Sequence, residues 1–270
     1  MRVSFVKMHG LGNDFVVLDG RVAALPTLTN TLAAALADRK TGIGCDQLIV
    51  LEPSTSADLK MRIFNADGGE VEACGNAARA VGLLVGEPVS VETLGGTIAL
   101  SPDPLGVRVD MGEPRFGWDQ IPLAYALDTL AMPVGWEELE SPVAVNIGNP
   151  HVVFFVPDCD AVELERLGPA IEHDPLFPER VNVNVASVTD RANIRLRVWE
   201  RGVGETRACG TGACATAVAA MRRGLTERVV TVNLAGGPLR IEWGADNRIV
   251  MTGPATESFR GEFESNDFGG

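Results

Sequence analysis

Short runs of alternating or β-branched apolar residues recur along the chain, punctuated by Gly, Pro and Asn. Those at 60–64, 89–92, 194–199 and 229–232 read as strands. Two stretches break that rhythm. Residues 75–84 and 210–221 are rich in alanine and glycine, with small residues on nearly every side, and the pattern predicts two helices enclosed by protein rather than amphipathic helices on a surface.

The two predicted helices belong to a larger repeat. R-I-F-N-A-D-G-G-E-V-E-A-C-G-N-A-A-R-A (62–80) aligns without a gap on R-V-W-E-R-G-V-G-E-T-R-A-C-G-T-G-A-C-A (197–215), half a chain away. V-S-V-E-T-L-G-G (89–96) matches V-T-V-N-L-A-G-G (230–237), and R-V-D-M-G-E-P (108–114) matches R-I-V-M-T-G-P (248–254). The pair Gly12-Asn13 matches Gly148-Asn149, and Gln47 falls opposite Asn182. Matches in one order imply an internal duplication. The expected fold is α/β (α+β): two pseudo-symmetric domains, each a mixed β-sheet or barrel wrapped around a central helix. Residues 114–122 read as the linker, and 255–270 are surplus to the second copy.

Composition narrows the function. The 270 residues are 46% hydrophobic, enough for two ordinary cores, and no apolar run is long enough to span a membrane. The N-terminus lacks a cleavable leader, so the expected location is the cytoplasm. A net charge of −13 speaks against a nucleic-acid or anionic-membrane partner, which would need a basic face, and leaves a small-molecule substrate. Five irregularly spaced cysteines do not form a secreted disulfide framework, and Cys209-x₄-Cys214 is not a zinc or thioredoxin spacing, so no metal is expected.

Cys74 and Cys209 stand out because each directly precedes a predicted helix. There the first peptide N–H groups have no partner inside the helix and the dipole is positive, so a thiolate or a substrate carboxylate is stabilised; such a thiol is expected to titrate below its free value. The residues that follow, Gly75-Asn76 and Gly210-Thr211, allow close approach to the backbone. One acid–base group returns a proton to the face it took it from, whereas two on opposite faces can invert a carbon. Were the two copies to face each other, the cysteines would form such a pair. The lysines, Lys7, Lys40 and Lys60, lie in no phosphate-binding setting, which argues against pyridoxal phosphate; no cofactor is expected. Rival readings are a proline or hydroxyproline racemase, an isomerase of the phenazine-biosynthesis type, and a non-catalytic amino-acid-binding protein.

The chain resembles the diaminopimelate epimerase family over essentially its whole length. The likeness is carried by K-M-H-G-L-G-N-D-F (7–15), G-I-G-C-D-Q (42–47), F-N-A-D-G (64–68), A-C-G-N (73–76), G-N-P-H (148–151), E-R-V-N (179–182), E-R-G-V-G-E-T (200–206) and A-C-G-T-G-A-C-A (208–215). It implies a cofactor-independent isomerase interconverting LL- and meso-diaminopimelate in lysine and peptidoglycan biosynthesis, acting as a homodimer. By that resemblance, domains at 1–115, joined by 255–270, and at 116–254 carry Cys74 and Cys209 as the acid–base pair. Gly75, Asn76, Gly210 and Thr211 would hold the α-carboxylate, while Asn13, Gln47, Asn65, Asn149, Asn182, Glu200 and Arg201 line the substrate. His151 is expected to assist Cys74, and Glu200 to lie near Cys209. Ala77 and Cys45 depart from the family pattern, Ala77 standing where glycine is more common.

Overall fold

A computed structural model describes residues 1–72 and 74–268; Ala73 of the A-C-G-N motif and Gly269 and Gly270 of the C-terminal stretch lie outside the described residues. The chain forms two compact units, one of Met1–Val109 with Pro254–Gly270 and one of Asp110–Gly253.

The first unit runs β1 (Arg2–Gly10), β2 (Asn13–Asp19), α1 (Asn30–Ala37), β3 (Gln47–Glu52), β4 (Leu59–Asn65), β5 (Glu70–Val71), α2 (Gly75–Val85), β6 (Val89–Thr93), β7 (Gly96–Asp103) and β8 (Gly106–Gly112). β1 and β2 are antiparallel, β2 and β3 parallel across α1, and β3 and β4 antiparallel. β5 folds back on β4, β6 runs parallel to β4 across α2, and β7 and β8 complete an antiparallel meander.

The second unit begins with a small hairpin of β9 (Gly135–Trp136) and β10 (Leu139–Glu140). It continues as β11 (Val143–Asn146), β12 (Pro150–Phe155), α3 (Leu164–Glu172), β13 (Asn182–Asp190), β14 (Asn193–Glu200), β15 (Gly204–Thr206), α4 (Gly210–Arg222), β16 (Val229–Leu234), β17 (Gly237–Trp243) and β18 (Ile249–Gly253). Strand for strand, the pairings repeat those of the first unit: β11–β12 antiparallel, β12–β13 parallel, β13–β14 antiparallel, β15 folded on β14, β14–β16 parallel, and β16–β17–β18 antiparallel. The registers agree as well. Phe15 pairs with Gln47 in one unit as His151 pairs with Asn182 in the other. The duplication read from short motifs is therefore a duplication of the mixed α+β fold.

Both predicted helices form almost where the small-residue pattern put them. In α4 the residues from Ala213 to Ala220 are all buried, and the helix packs against β11, β12, β13, β14, β16, β17 and β18. Alanine makes that enclosure feasible, because it lets strands approach the helix axis from every side at little side-chain entropy cost. In α2 the buried run from Asn76 to Gly82 packs against β1, β7 and the last strand, β19 (Thr256–Glu264). β19 pairs antiparallel with β1 from Arg2 to His9 and places Phe263 in the core with Phe5. The helices α1 and α3 close the parallel crossovers over two further apolar cores, around Leu32, Leu36, Leu48 and Phe64 and around Leu164, Leu167, Phe154 and Phe177. Segment 114–122, read from its prolines as a linker, is folded into the second unit: Arg115 bridges Asn146 and Ile121 enters its core.

Candidate active site

In each unit the cysteine is the residue immediately before the helix. Cys74 caps α2, its sulfur accepting from the Ala77 N–H at 3.4 Å, and Cys209 caps α4 in the same way from the Gly212 N–H at 3.4 Å. Both have extended backbone, as an N-cap requires. The sulfur meets the third peptide N–H, while those of Gly75 and Asn76, or of Gly210 and Thr211, are the first two of their helix and find no acceptor within it. Each unit thus offers a sulfur beside a small anion-binding cradle.

The surroundings of the two sulfurs differ. Cys74 is half-buried, and its thiol donates to Asn13 Oδ1 at 3.8 Å, an oxygen that also accepts from Asn76 Nδ2 at 3.1 Å. Asn13 follows the tight turn at Leu11-Gly12, where both residues take positive φ as a two-residue hairpin demands. Its amide nitrogen donates to Asp46 Oδ2 at 3.0 Å, so the oxygen end is the one turned to Cys74. Arg39 in turn bonds Asp14 and Asp46, and Lys7 pairs with Asp14. Burial pushes the Asp14 carboxyl up, but hydrogen bonds from Arg39 and Lys7 outweigh it and hold that carboxyl well below the usual range. Gln47 Nε2 donates to Asn65 Oδ1 at 2.9 Å, joining the ends of β3 and β4 on the same rim.

Cys209 is only 4% exposed. Burial first, and then the Glu200 carboxylate, push its thiol well above the ordinary value, against the smaller opposing effect of the Thr211 hydroxyl and the Gly212 N–H. The expected lowering at a helix start is therefore outweighed at Cys209, because the site is desolvated and carries a like charge. Glu200 accepts from the Thr206 hydroxyl, which fixes the carboxylate across the β14–β15 turn. Within that turn Arg201 N–H donates to Asn182 Oδ1 at 3.0 Å and its guanidinium donates to Glu179 O at 2.9 Å. The buried Glu172 of α3 braces the same turn, accepting from Trp199 Nε1 at 2.7 Å and Gly202 N at 2.9 Å.

His151 lies wholly buried in β12, with Nε2 2.8 Å from Asn149 Oδ1 and Nδ1 3.2 Å from Asn184 Nδ2. Burial, with the charge of Arg201 adding to it, pushes its pKa down to about 3. Asn149 Nδ2 donates to Thr211 Oγ1 at 3.3 Å, and that hydroxyl is 3.6 Å from the Cys209 sulfur. Thus one hydrogen-bonded group joins Asn149, His151, Thr211, Cys209 and, beside the sulfur, Glu200; Asn182, Arg201 and the turn complete it. In the other unit Asn13, Asn76 and Cys74 form one group, with Gln47 and Asn65 on the adjoining strand ends.

Sequence reasoning passed over Asn184, Asp46, Arg39 and Glu172. For Asn184 a signal exists: in V-N-V-N-V (181–185) two asparagines stand two apart in an apolar strand, which puts both on one face of a buried sheet. The others act through tertiary contacts that no local pattern records.

The duplicated sheet-and-helix unit is a fold shared with solved structures of low sequence identity. The structure is similar to a phenazine biosynthesis protein of the PhzF family from Enterococcus faecalis, with a TM-score of 0.73 and 16% identity over 98% of this chain and 100% of that one. It is also similar to a hydroxyproline epimerase from Agrobacterium vitis, with a TM-score of 0.66 and 14% identity over 97% and 92% of the two chains. Sequence is more specific. The family described as Diaminopimelate epimerase matches residues 5–117 and 143–257. A diaminopimelate epimerase of Erythrobacter litoralis is 70% identical over 99% of this chain and 100% of its own length, and one of Rhizorhabdus wittichii is 65% identical over 100% and 98%. The chain belongs to the diaminopimelate epimerase family.

Proposed function

We propose that the protein is a diaminopimelate epimerase that interconverts LL- and meso-diaminopimelate by two-base chemistry, with Cys74 and Cys209 acting on opposite faces of one α-carbon. The observation that carries this reading is the repetition: the same strand order twice leads to a cysteine that caps a buried helix. A binding protein needs one carboxylate cradle. Two cradles, each with a sulfur, suit a reaction in which hydrogen leaves one face and arrives at the other.

In this reading the first N–H groups of α2 and α4 take the α-carboxylate and stabilise the charge that builds on it as the α-hydrogen departs, a task suited to preorganised donors. Arg201 forks onto the distal carboxylate, while Asn13, Gln47, Asn65, Asn149 and Asn182 orient the remaining polar groups. Glu200 takes the proton of Cys209 when that residue must act as base. The raised titration of the Cys209 thiol supports this, since a thiol so buried needs an adjacent acceptor to ionise. No pyridoxal phosphate or metal enters the scheme. The reading extends to lysine and peptidoglycan biosynthesis in the cytoplasm and to a homodimer; no helix among the described residues is long and apolar enough to cross a membrane.

The test is run in heavy water. LL-diaminopimelate is expected to yield meso product carrying deuterium at the inverted α-carbon. Exchange without inversion would overturn the two-face scheme, and an untouched α-hydrogen would make the protein a binder.

A further inference from the structure

Asn184 is completely buried in β13, two residues beyond Asn182 on the same face of the strand. Its amide nitrogen lies 3.0 Å from Val152 O and 3.3 Å from Asn182 O, besides the 3.2 Å contact to His151 Nδ1. Backbone carbonyls only accept, so the end of the amide that faces them is the NH₂ end. That assignment fixes everything downstream. The two amide protons are shared among these three acceptors, and an NH₂ group accepts nothing, so a protonated Nδ1 would face it without a partner; Nδ1 therefore carries the lone pair and the single imidazole proton is on Nε2. Nε2–H then donates to Asn149 Oδ1, which leaves Asn149 Nδ2 to donate to Thr211 Oγ1, and the Thr211 hydroxyl proton is left for the Cys209 sulfur.

The first unit shows that the fold does not need this chain of polar groups. By register Phe15 occupies the place of His151, and Ile49 the place of Asn184. Both are fully buried, and the sheet closes around them. A polar pair sealed in a core that accepts Phe and Ile calls for an explanation other than packing. The asparagine shared by the two units sharpens the point: Asn13 turns its oxygen to Cys74, whereas Asn149 turns its NH₂ toward Thr211 beside Cys209. A third observation is Gly212, the residue that caps back onto Cys209. A Cβ there would stand 2.7 Å from Asn184 Oδ1 and 3.3 Å from the Cys209 sulfur, so the glycine makes room for the Asn184 amide at the helix start.

Resting on the epimerase reading above, we propose that Asn184 is a positioning residue that sets the direction of a hydrogen-bond relay through His151, Asn149 and Thr211, so that a hydroxyl proton is aimed at the Cys209 sulfur. In this arrangement His151 is a neutral donor held in one tautomer, and its hydrogen bonds lead to Cys209 rather than to Cys74, the cysteine it was expected to assist from the family resemblance. The relay is a stabiliser of the Cys209 thiolate: each link donates toward the sulfur, and a chain of donors oriented one way strengthens its last bond. Asn184 touches neither substrate nor sulfur; its effect is carried by the orientation it imposes.

Two measurements test this. The first is the nitrogen-15 spectrum of the histidine rings near neutral pH, the signals of His151 being those absent from a His151→Phe variant. The expected result is a protonated Nε2 and a bare Nδ1 in the unsubstituted protein, with that fixed tautomer lost in Asn184→Ile. An Nδ1–H or doubly protonated ring in the unsubstituted protein, or an unchanged tautomer in the variant, would overturn the proposal. The second is turnover. Asn184→Ile should lower kcat for epimerisation by about tenfold or more, the scale of one hydrogen bond to a charged group. The double variant His151→Phe/Asn184→Ile, which recreates the Phe15–Ile49 pair and so supplies a folded comparison, should lose no more than the worse single variant, because members of one chain act as a unit. Turnover within about twofold of the unsubstituted protein, or losses that add, would overturn it. Should the unsubstituted protein leave diaminopimelate unchanged, the epimerase reading fails, while the ring spectra still decide the direction of the relay.

Discussion

At the Cys209 sulfur two physical effects oppose one another. The helix start favours a thiolate, while burial and the Glu200 carboxylate favour the thiol, and the latter pair dominates. Removing the charge while keeping the shape should therefore lower the Cys209 pKa. In Glu200→Gln we expect alkylation of Cys209, followed by mass spectrometry across pH, to set in at lower pH, even as epimerisation falls by about a hundredfold or more through loss of the acceptor. An onset unmoved or moved upward would mean that the carboxylate does not act on the sulfur. His151 gives a second expectation. Its folded pKa lies well below the ordinary 6.5, so on acidification the unfolded chain gains a proton that the folded chain refuses. Stability is thus lost as pH falls below about 6.5 and continues to fall toward about 3, at up to ~1.4 kcal/mol per pH unit from this one group. Carboxylates titrate in the same window, so the comparison is with His151→Phe, whose denaturant midpoint should decline less steeply over that range; parallel declines would contradict a neutral buried ring.

At the scale of single elements, α2 and α4 show how much a local pattern can carry. An alanine- and glycine-rich pattern marked both helices as largely enclosed, and the cysteine before each marked where it starts; in the structure each cysteine caps its helix. What the pattern could not carry is why Ala77 fills the third position of one helix and Gly212 that of the other. The reason is tertiary: Asn184 Oδ1 approaches Gly212, and Ile49 occupies the corresponding strand position in the first unit. Gly212→Ala is a sharp test because helix propensity alone would make it stabilising by up to ~1 kcal/mol. Here the new Cβ would press on a buried amide and on the sulfur, so we expect a net loss of about 1–3 kcal/mol in denaturant unfolding and a fall in kcat. A stabilised, fully active variant would show that the contact is slack. The shorter helices were not legible. α1 begins at Asn30, a residue that reads as turn chemistry, because its cap is Thr29, whose hydroxyl accepts from Leu32 N at 3.1 Å. Nor does α3 give itself away, since Pro169 interrupts its pattern.

Across the whole molecule the duplication was the most legible feature, because gapless matches in one order survive divergence that erases individual contacts. Most partners of the site residues were not legible, since Asp46 reaches Asn13, and Glu172 the Arg201 turn, only once distant strands and helices are packed. From the repeat alone the C-terminal stretch was legible only as a surplus, and its joining the first domain was an expectation from the family resemblance. In the structure its strand β19 hydrogen-bonds along nearly all of β1, the strand whose far end turns through Gly12 into Asn13. Phe263 is 8% exposed and packs at a tilt against Phe5 and edge-on against Phe268, so β19 contributes both ladder bonds and core to the first unit. Removing 256–270 would strip one full side of β1 of its ladder and open the core beside Phe5. The hairpin that carries Asn13 would then lose its support, although the Asn13 and Ala77 contacts of Cys74 lie outside the deleted stretch. We therefore expect the truncated chain to show amide exchange through 2–10 faster by orders of magnitude and to lose epimerisation. The ladders that hold β13 pair it with β12 and β14, so amides in β13 and α4 should keep most of their protection. Retained protection in 2–10 would mean that β1 is held by β2 alone and that β19 is dispensable to the site.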